Sequence, residues 1–464
     1  MKTVKKFILM LVLLFIMLLA IYQIGKRSIL DQDKINFDDK FSYLIPLEVK
    51  SFLKNTIFAI PTKNRQIENQ KRKIANYEDT LDFFLGGIKN YEFKKLEPTN
   101  VKSQNDDLYL LGKFDTSFVT SQNIAAKSTT YLDIFKKDIY LASSKGVISY
   151  FDIDKLEDSY FTSKVIPSNF TQLIQDKNIY MGVSGYGIKD LSISQNKIFL
   201  SFSNQVSPNC YNTGIIAADL NKEYLNFRKI FSPNECIMNN NGEFYPFSAG
   251  GRIVEFDENN ILFSHGEYLM RDLAQNKDSI FGKIIKINNQ SQEYEIISMG
   301  HRNPQGLKYD QLNNLIYISE HGPTGGDEVN IINDLQNNET PNFGWPQATY
   351  GKIANYDKVI FENHKDYGFI EPSTYFTPSI GISELVFSNK NDSETDLFVS
   401  SLGYDLEEND LSIHHFVYNR VNNELKNFDI INIGERIRDM QLLDDGRILM
   451  YLETTGSLGI LSKK

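Results

Sequence analysis

The chain has 464 residues, 41% of them hydrophobic, and a formal net charge of −10. That length and hydrophobic content allow a large core and exclude a disordered chain. The negative balance argues against a nucleic-acid partner, which a basic surface would have to hold.

Lys2, Lys5 and Lys6 precede an uncharged apolar run over residues 7–24, about long enough to cross a bilayer. Leu19-Ala20-Ile21-Tyr22 offers no small-residue cleavage site, so residues 1–27 read as an uncleaved membrane anchor, with a cleaved signal peptide as the alternative. The basic end predicts a cytoplasmic N-terminus, weakened by Lys26 and Arg27 on the far side. This gives a single-pass protein of the inner (cytoplasmic) membrane, its main domain on the periplasmic or extracellular side. Residues 28–105 differ in pattern from the remainder of the chain. Leu47, Phe52, Leu53 and Ile57 have helical spacing, and Ile67, Ile74 and Leu81 are spaced as a weak coiled-coil seam. The segment reads as a partly helical, membrane-proximal stalk.

From residue 106 onward the chain alternates short strands with polar turns. One run recurs: a turn, then three aliphatic or aromatic residues, then small or polar ones. It starts at Ile139, Ile198, Ile261, Ile316, Leu397 and Ile448, at intervals of roughly 50 to 80 residues, the size of a propeller blade with insertions. Six runs predict an all-β, six-bladed β-propeller over residues 106–464. Residues 108–111 would supply an early strand that closes the ring on the last blade. An irregular β-sandwich is the alternative, but a sandwich of this length would divide in two, and no linker is visible. The only cysteines, Cys210 and Cys236, lack the spacing of a metal site. They read equally as two thiols or, in an exported domain, as one disulfide.

Residues 299–350 concentrate the polar chemistry. One turn holds His301, Arg302, Asn303 and Gln305. A second turn holds His321, Gly322, Pro323, Gly325, Gly326, Asp327 and Glu328. Arg302 can fork onto a carboxylate, and Asn303 and Gln305 can bond carbonyl oxygens. Carbonyls on a Gly-Pro turn suit a hard cation such as calcium. Each loop alone is equally an ordinary turn.

Three ordered motifs, GHRNPQGL, SEHGPTGGDE and NFGWP, together resemble the PQQ-dependent sugar dehydrogenases, the glucose/sorbosone and aldose sugar dehydrogenase family. Weaker echoes at 185–193, 250–254, 274–288 and 434–440 extend the resemblance to the C-terminal part. The resemblance implies a six-bladed propeller that oxidises an aldose or related alcohol using PQQ and calcium. It implies that Arg302, Asn303 and Gln305 bind the quinone, with Arg436 and Arg438 from the last blade. It implies that Gly322 and Pro323 offer carbonyls to the metal. Asp327 and Glu328 match an acidic pair that would orient the base or a metal-bound water, or cap the turn. Arg436 and Arg438 alternate along an expected strand and share one side. The bland reading of that pair is a solvated face answered by Glu435 and Asp439.

Two departures bear on activity. Ser248 stands where the family carries its catalytic base, a histidine, and a serine needs a partner to act as a base. Gly403 stands at the best match for a lysine that contacts the quinone. His265, His301 and His321 are candidate substitutes, each also readable as a structural histidine. Two functions are open. One is an exported, anchored quinoprotein dehydrogenase that passes electrons to the respiratory chain. The other is a degenerate propeller that binds a ligand or protein partner without turnover.

Overall fold

The computed structural model describes residues 90–464, except 119–125, 183–184, 240–243, 336–338, 354–359 and 404–408. The expected anchor at 7–24 and the helical part of the stalk lie outside the described residues. Among the described residues no helix is long and apolar enough to cross a membrane.

The strands form six antiparallel blades. Their first strands are Thr130–Phe135, Ile188–Ser194, Gly250–Glu255, Pro304–Asp310, Ile382–Asn389 and Ile437–Leu442. Each packs on the next, and the sixth packs on the first, so the ring closes. The six recurrent runs of the sequence are the second strands: Asp138–Ser143, Lys197–Ser207, Asn260–His265, Leu315–Glu320, Glu394–Ser401 and Ile448–Leu452. These are buried along most of their length, because both faces of each blade are covered by its neighbours. Turn chemistry sets the hairpins. Gln195 and Asn196 both take positive φ (51° and 59°), the conformation that a two-residue loop needs to match strand twist.

Leu108–Thr116 is the outer strand of the last blade. It pairs antiparallel with Ser457–Lys463, from Asp115 opposite Ser457 to Tyr109 opposite Lys463, the closure expected for 108–111. One boundary moves. Asn90–Lys95 and Thr99–Lys102, assigned to the stalk from sequence, are strands of the sheet. Asn90–Lys95 pairs with both Leu108–Thr116 and Tyr160–Ile166, joining the first and last blades along their outer edges. Its charges alternate with Tyr91 and Phe93, which are buried, so a strand pattern was hidden in a charged segment.

The apolar core is divided among the blade interfaces. Separate clusters lie between successive blades, such as Ile188 and Leu200 against Tyr131 and Tyr140, and Leu132 and Ile139 against Leu449 and Leu458 across the closure. Along the axis the first strands contribute charge instead: Asp133, Asp190, Arg252, Lys308, Glu384 and Asp439, one from each. Arg252 Nη1 lies 2.8 Å from Asp190, 2.9 Å from Glu384 and 3.0 Å from Asp439. Lys308 lies 3.7 Å from Glu384. Three of the acids also clasp the next blade: Asp133 accepts from the Ile193 amide, Asp190 from Ile253 and Asp439 from Leu132. Cys210 and Cys236 form a disulfide within the second blade, which decides the open choice about the two thiols.

Candidate functional site

Arg302 precedes the first strand of the fourth blade and lies beside Trp345, its guanidinium carbon 5.5 Å from the ring centre. Its Nη1 donates to the His321 carbonyl at 3.0 Å, joining the first polar turn to the glycine-rich loop. Its Nε is buried and has no hydrogen-bond partner. Burial lowers the Arg302 pKa, against the pull of the Glu267 and Asp327 carboxylates. Arg438 Nη1 donates to Gln305 Oε1 at 3.3 Å, so the last blade meets the fourth. Arg302, Gln305, His321, Gly322, Pro323 and Arg438 are all partly exposed. These residues, more than 130 positions apart at the extremes, meet at one end of the axis.

Arg252 fixes this meeting from below. Its Nε donates to the Gln305 carbonyl at 2.6 Å and its Nη2 to the Arg438 carbonyl at 2.9 Å. The axial charges therefore hold the backbone from which two site side chains project.

Other motif residues are consumed internally. Asn303 Oδ1 accepts from the Gly250 amide at 3.0 Å and from Gln305 Nε2 at 3.0 Å, while its Nδ2 donates to the Phe247 carbonyl. It ties the third blade to the fourth instead of facing a ligand. Asp327, read as a candidate catalytic group, accepts the Gly322 amide on Oδ1 and the Ile382 amide on Oδ2, each at 2.9 Å. It caps the turn. Arg436 is 5% exposed and lies 3.3 Å from Glu453. It also donates to the Leu402 and Gly403 carbonyls. Arg436 and Arg438 do share a side, but Glu453, not Glu435 or Asp439, answers them. Burial opposes the Glu453 charge, yet Arg438 and Arg436 hold its carboxyl below the ordinary range. Glu435 pairs with Lys113 and Asp439 with Arg252.

The loop at 321–326 is built on glycine. A Cβ on Gly322 would lie 2.1 Å from the Gly326 carbonyl oxygen and 2.5 Å from that of Gly325. Gly325 and Gly326 have φ of 83° and 73°, the left-handed region. The loop thus folds back until its own carbonyls crowd under Gly322. Among the described residues no three His, Cys, Asp or Glu side chains gather as a metal site. A cation here would depend on carbonyl oxygens, a donor set that hard cations accept. The unpartnered Arg302 Nε, the Trp345 face and the Arg438 guanidinium fit a planar anionic ligand.

The histidines divide. His265 hydrogen-bonds the Gly266 carbonyl through Nδ1 and the Thr213 amide through Nε2. Burial pushes it down to about 4, so it is a neutral structural group. His301 bonds Ser298 through Nε2 at 2.7 Å and meets Glu320 through Nδ1 at 3.4 Å. His321 is partly exposed and faces Asp327 at 3.9 Å. Burial lowers its pKa; Asp327 opposes this, and the Arg302, Arg438 and Arg436 charges add to it.

Ser248 is buried, and its Oγ donates to Glu267 Oε1 at 2.9 Å. Glu267, Glu453 and Arg252 were not singled out as site groups from the sequence. Glu267 is a lone acid in an unpatterned loop, and Glu453 ends the recurrent run that starts at Ile448. Arg252 did stand in the weak GGRIV echo.

The profile of the Glucose / Sorbosone dehydrogenase family matches residues 182–461. Aldose sugar dehydrogenase YliI of Escherichia coli (strain K12) is 30% identical over 270 residues, covering 54% of this chain and 67% of that protein. The chain spans about half to two thirds of the length of the curated relatives that it matches first. Among solved structures, a glucose dehydrogenase has a TM-score of 0.57 at 21% identity, over 73% of this chain and 96% of that one. The PQQ-bound form of an aldose sugar dehydrogenase from Streptomyces coelicolor has a TM-score of 0.50 at 16% identity, over 73% and 95%. At these identities the structural likeness speaks for the fold.

Proposed function

The chain belongs to the glucose/sorbosone dehydrogenase family, and from that premise we propose that it is a PQQ- and calcium-dependent oxidoreductase that oxidises an aldose or a related alcohol. The observation that carries the reading is the convergence of Arg302, Gln305 and Arg438 beside the carbonyl-crowded loop at 321–326, with one guanidinium nitrogen left unpartnered. Arg302 and Arg438 would hold the carboxylates of the quinone, Gln305 would bond a carbonyl oxygen, and Trp345 would back the Arg302 plane. Gly322 and Pro323 would offer carbonyls to calcium. When bound, the quinone supplies the two-electron acceptor that alcohol oxidation requires.

We further propose that the domain works outside the cytoplasm, anchored by residues 1–27, and passes electrons to a respiratory-chain acceptor. The apolar run after a basic start and the Cys210–Cys236 disulfide support that placement, since disulfides persist in oxidising compartments. A second reading, ligand binding without turnover, draws on Gly403. A Cβ there would lie 2.0 Å from the Asp410 side chain, which fills the space a lysine would need.

Calorimetry of the protein with PQQ and calcium, followed by an aldose panel with an artificial electron acceptor, tests both. Calcium-dependent binding with dye reduction is expected. Binding without reduction of the dye by any aldose would move the conclusion to the second reading, and no binding would remove the cofactor assignment.

A further inference from the structure

Alcohol oxidation releases a proton as well as electrons, and the site must contain its acceptor. Most titratable groups around the site are already committed. Both Asp327 oxygens accept backbone amides, Glu453 is claimed by two arginines, and both ring nitrogens of His265 and His301 have partners. His321 faces Asp327 at 3.9 Å, on the glycine-rich loop. Glu267 differs. It is fully buried, its Oε1 accepts from Ser248, and its Oε2 has no hydrogen-bond partner. Burying a carboxylate with one oxygen outside any close hydrogen bond is costly, and the surrounding structure must offset that cost.

The surroundings hold this group in place. The Glu267 amide donates to the Arg302 carbonyl at 3.0 Å, and the Ser248 carbonyl accepts from the Tyr268 amide at 2.9 Å. Tyr268 and Leu269, the two residues after Glu267, have φ of 52° and 67°. Two consecutive bulky residues in the left-handed region carry strain that the surrounding structure must hold, and such strain gathers at functional sites. Burial raises the Glu267 carboxyl; Arg302, the Ser248 hydroxyl, the Leu269 amide and Arg271 oppose it. Ser248 ends the turn whose Tyr245 is 43% exposed.

We propose that Ser248 and Glu267 form the proton-accepting pair of the reaction, Ser248 Oγ receiving the alcohol proton as its own passes to Glu267. This rests on the proposed alcohol oxidation. The O–H bond of the substrate breaks, a new O–H bond forms on Ser248, and the old Ser248 proton ends on the carboxyl. The carbinol C–H bond breaks with it. Its hydrogen leaves with both electrons to the ortho-quinone oxidant, and the C–O bond becomes a carbonyl. Arg302, beside Glu267, couples the charge of this pair to the cofactor side.

The test compares the wild-type protein with Glu267→Gln and Ser248→Ala. Gln keeps an oxygen for the Ser248 bond but cannot take the proton. Ser248→Ala is expected to bind PQQ with unchanged affinity and Glu267→Gln at least as tightly, because it removes the carboxylate beside Arg302, and binding also reports a folded site. In both, kcat should fall about a hundred- to ten-thousandfold, and Glu267→Gln should lose the acid limb of the kcat–pH profile. Infrared difference titration of the cofactor-free proteins gives a readout apart from turnover. The wild type minus Glu267→Gln should show a carboxyl C=O band that titrates above the ordinary glutamate range. Wild-type turnover with an unchanged rate and acid limb in Glu267→Gln would overturn the pair alone, as would an absent band. A wild type that binds no PQQ would remove the proposed function and the pair together.

Discussion

Arg302 and Asn303 are neighbours in one motif, yet they do different work. Asn303 spends both ends of its amide on backbone and on Gln305. Arg302 keeps an unpartnered Nε. Side-chain type permits either outcome, and only the partners decide between them. Arg302→Ala should therefore weaken PQQ binding by about 2–5 kcal/mol, the usual cost of losing one partner of a buried charge contact. Asn303→Ala should act mainly on stability, through the loosened joint between the third and fourth blades. Calorimetric titration and thermal melts of the two variants check this division, and equal PQQ affinity in Arg302→Ala and wild type would refute it. At this scale the sequence displayed the motif residues but not their partners. Glu267 lies 19 positions from Ser248, and Glu453 lies 17 from Arg436, with nothing in either interval to mark the pairing.

The element with the tightest sequence requirement is the loop at 321–326. Its three glycines serve two physical needs: left-handed backbone at Gly325 and Gly326, and bare space at Gly322. Gly322→Ala forces the Gly325 and Gly326 carbonyls apart. Overpacking of this kind costs about 1–3 kcal/mol, so it should lower the melting temperature by a few degrees and, if the loop holds calcium, lower the calcium affinity as well. Isothermal titration with calcium in the presence of PQQ reads it. Strands were legible where turn residues and apolar runs alternate, as in all six second strands. They were hidden at Asn90–Lys95, because its pairing partners, 108–116 and 160–166, come later in the chain. The alternation there is short, two aromatics in a charged segment.

The described residues form a ring, closed by Leu108–Thr116 against Ser457–Lys463 and bound along its axis by charge. Four acids and two cations make up that axial set, so acid is in excess. Burial, opposed by the Ile193 and Ile134 amides and by Lys308, pushes Asp133 up to about 7. Asp439 adds to the rise, while Asp190, Glu384 and Asp439 gather on Arg252. A carboxyl raised on folding gives stability that is full below its unfolded value, near 3.8, and is lost as pH rises through the folded value. The melting temperature of Asp133→Asn should depend less on pH between about 4 and 7 than that of the wild type. Parallel curves for the two proteins would place the excess charge elsewhere.

The sequence by itself determined the number of blades, the strand that closes them and the two polar turns, because each rests on local patterns: apolar runs, turn residues and glycine spacing. It also placed Arg302, Gln305, Gly322 and Arg438 in recognisable motifs. The tertiary structure decided which of those residues remain available. Asp327, Asn303 and Arg436 are spent on amides, carbonyls and Glu453, while Arg302 is not. A hydrogen bond depends on distance in space, and the ring brings together residues as far apart as Arg252 and Asp439, which no local pattern encodes.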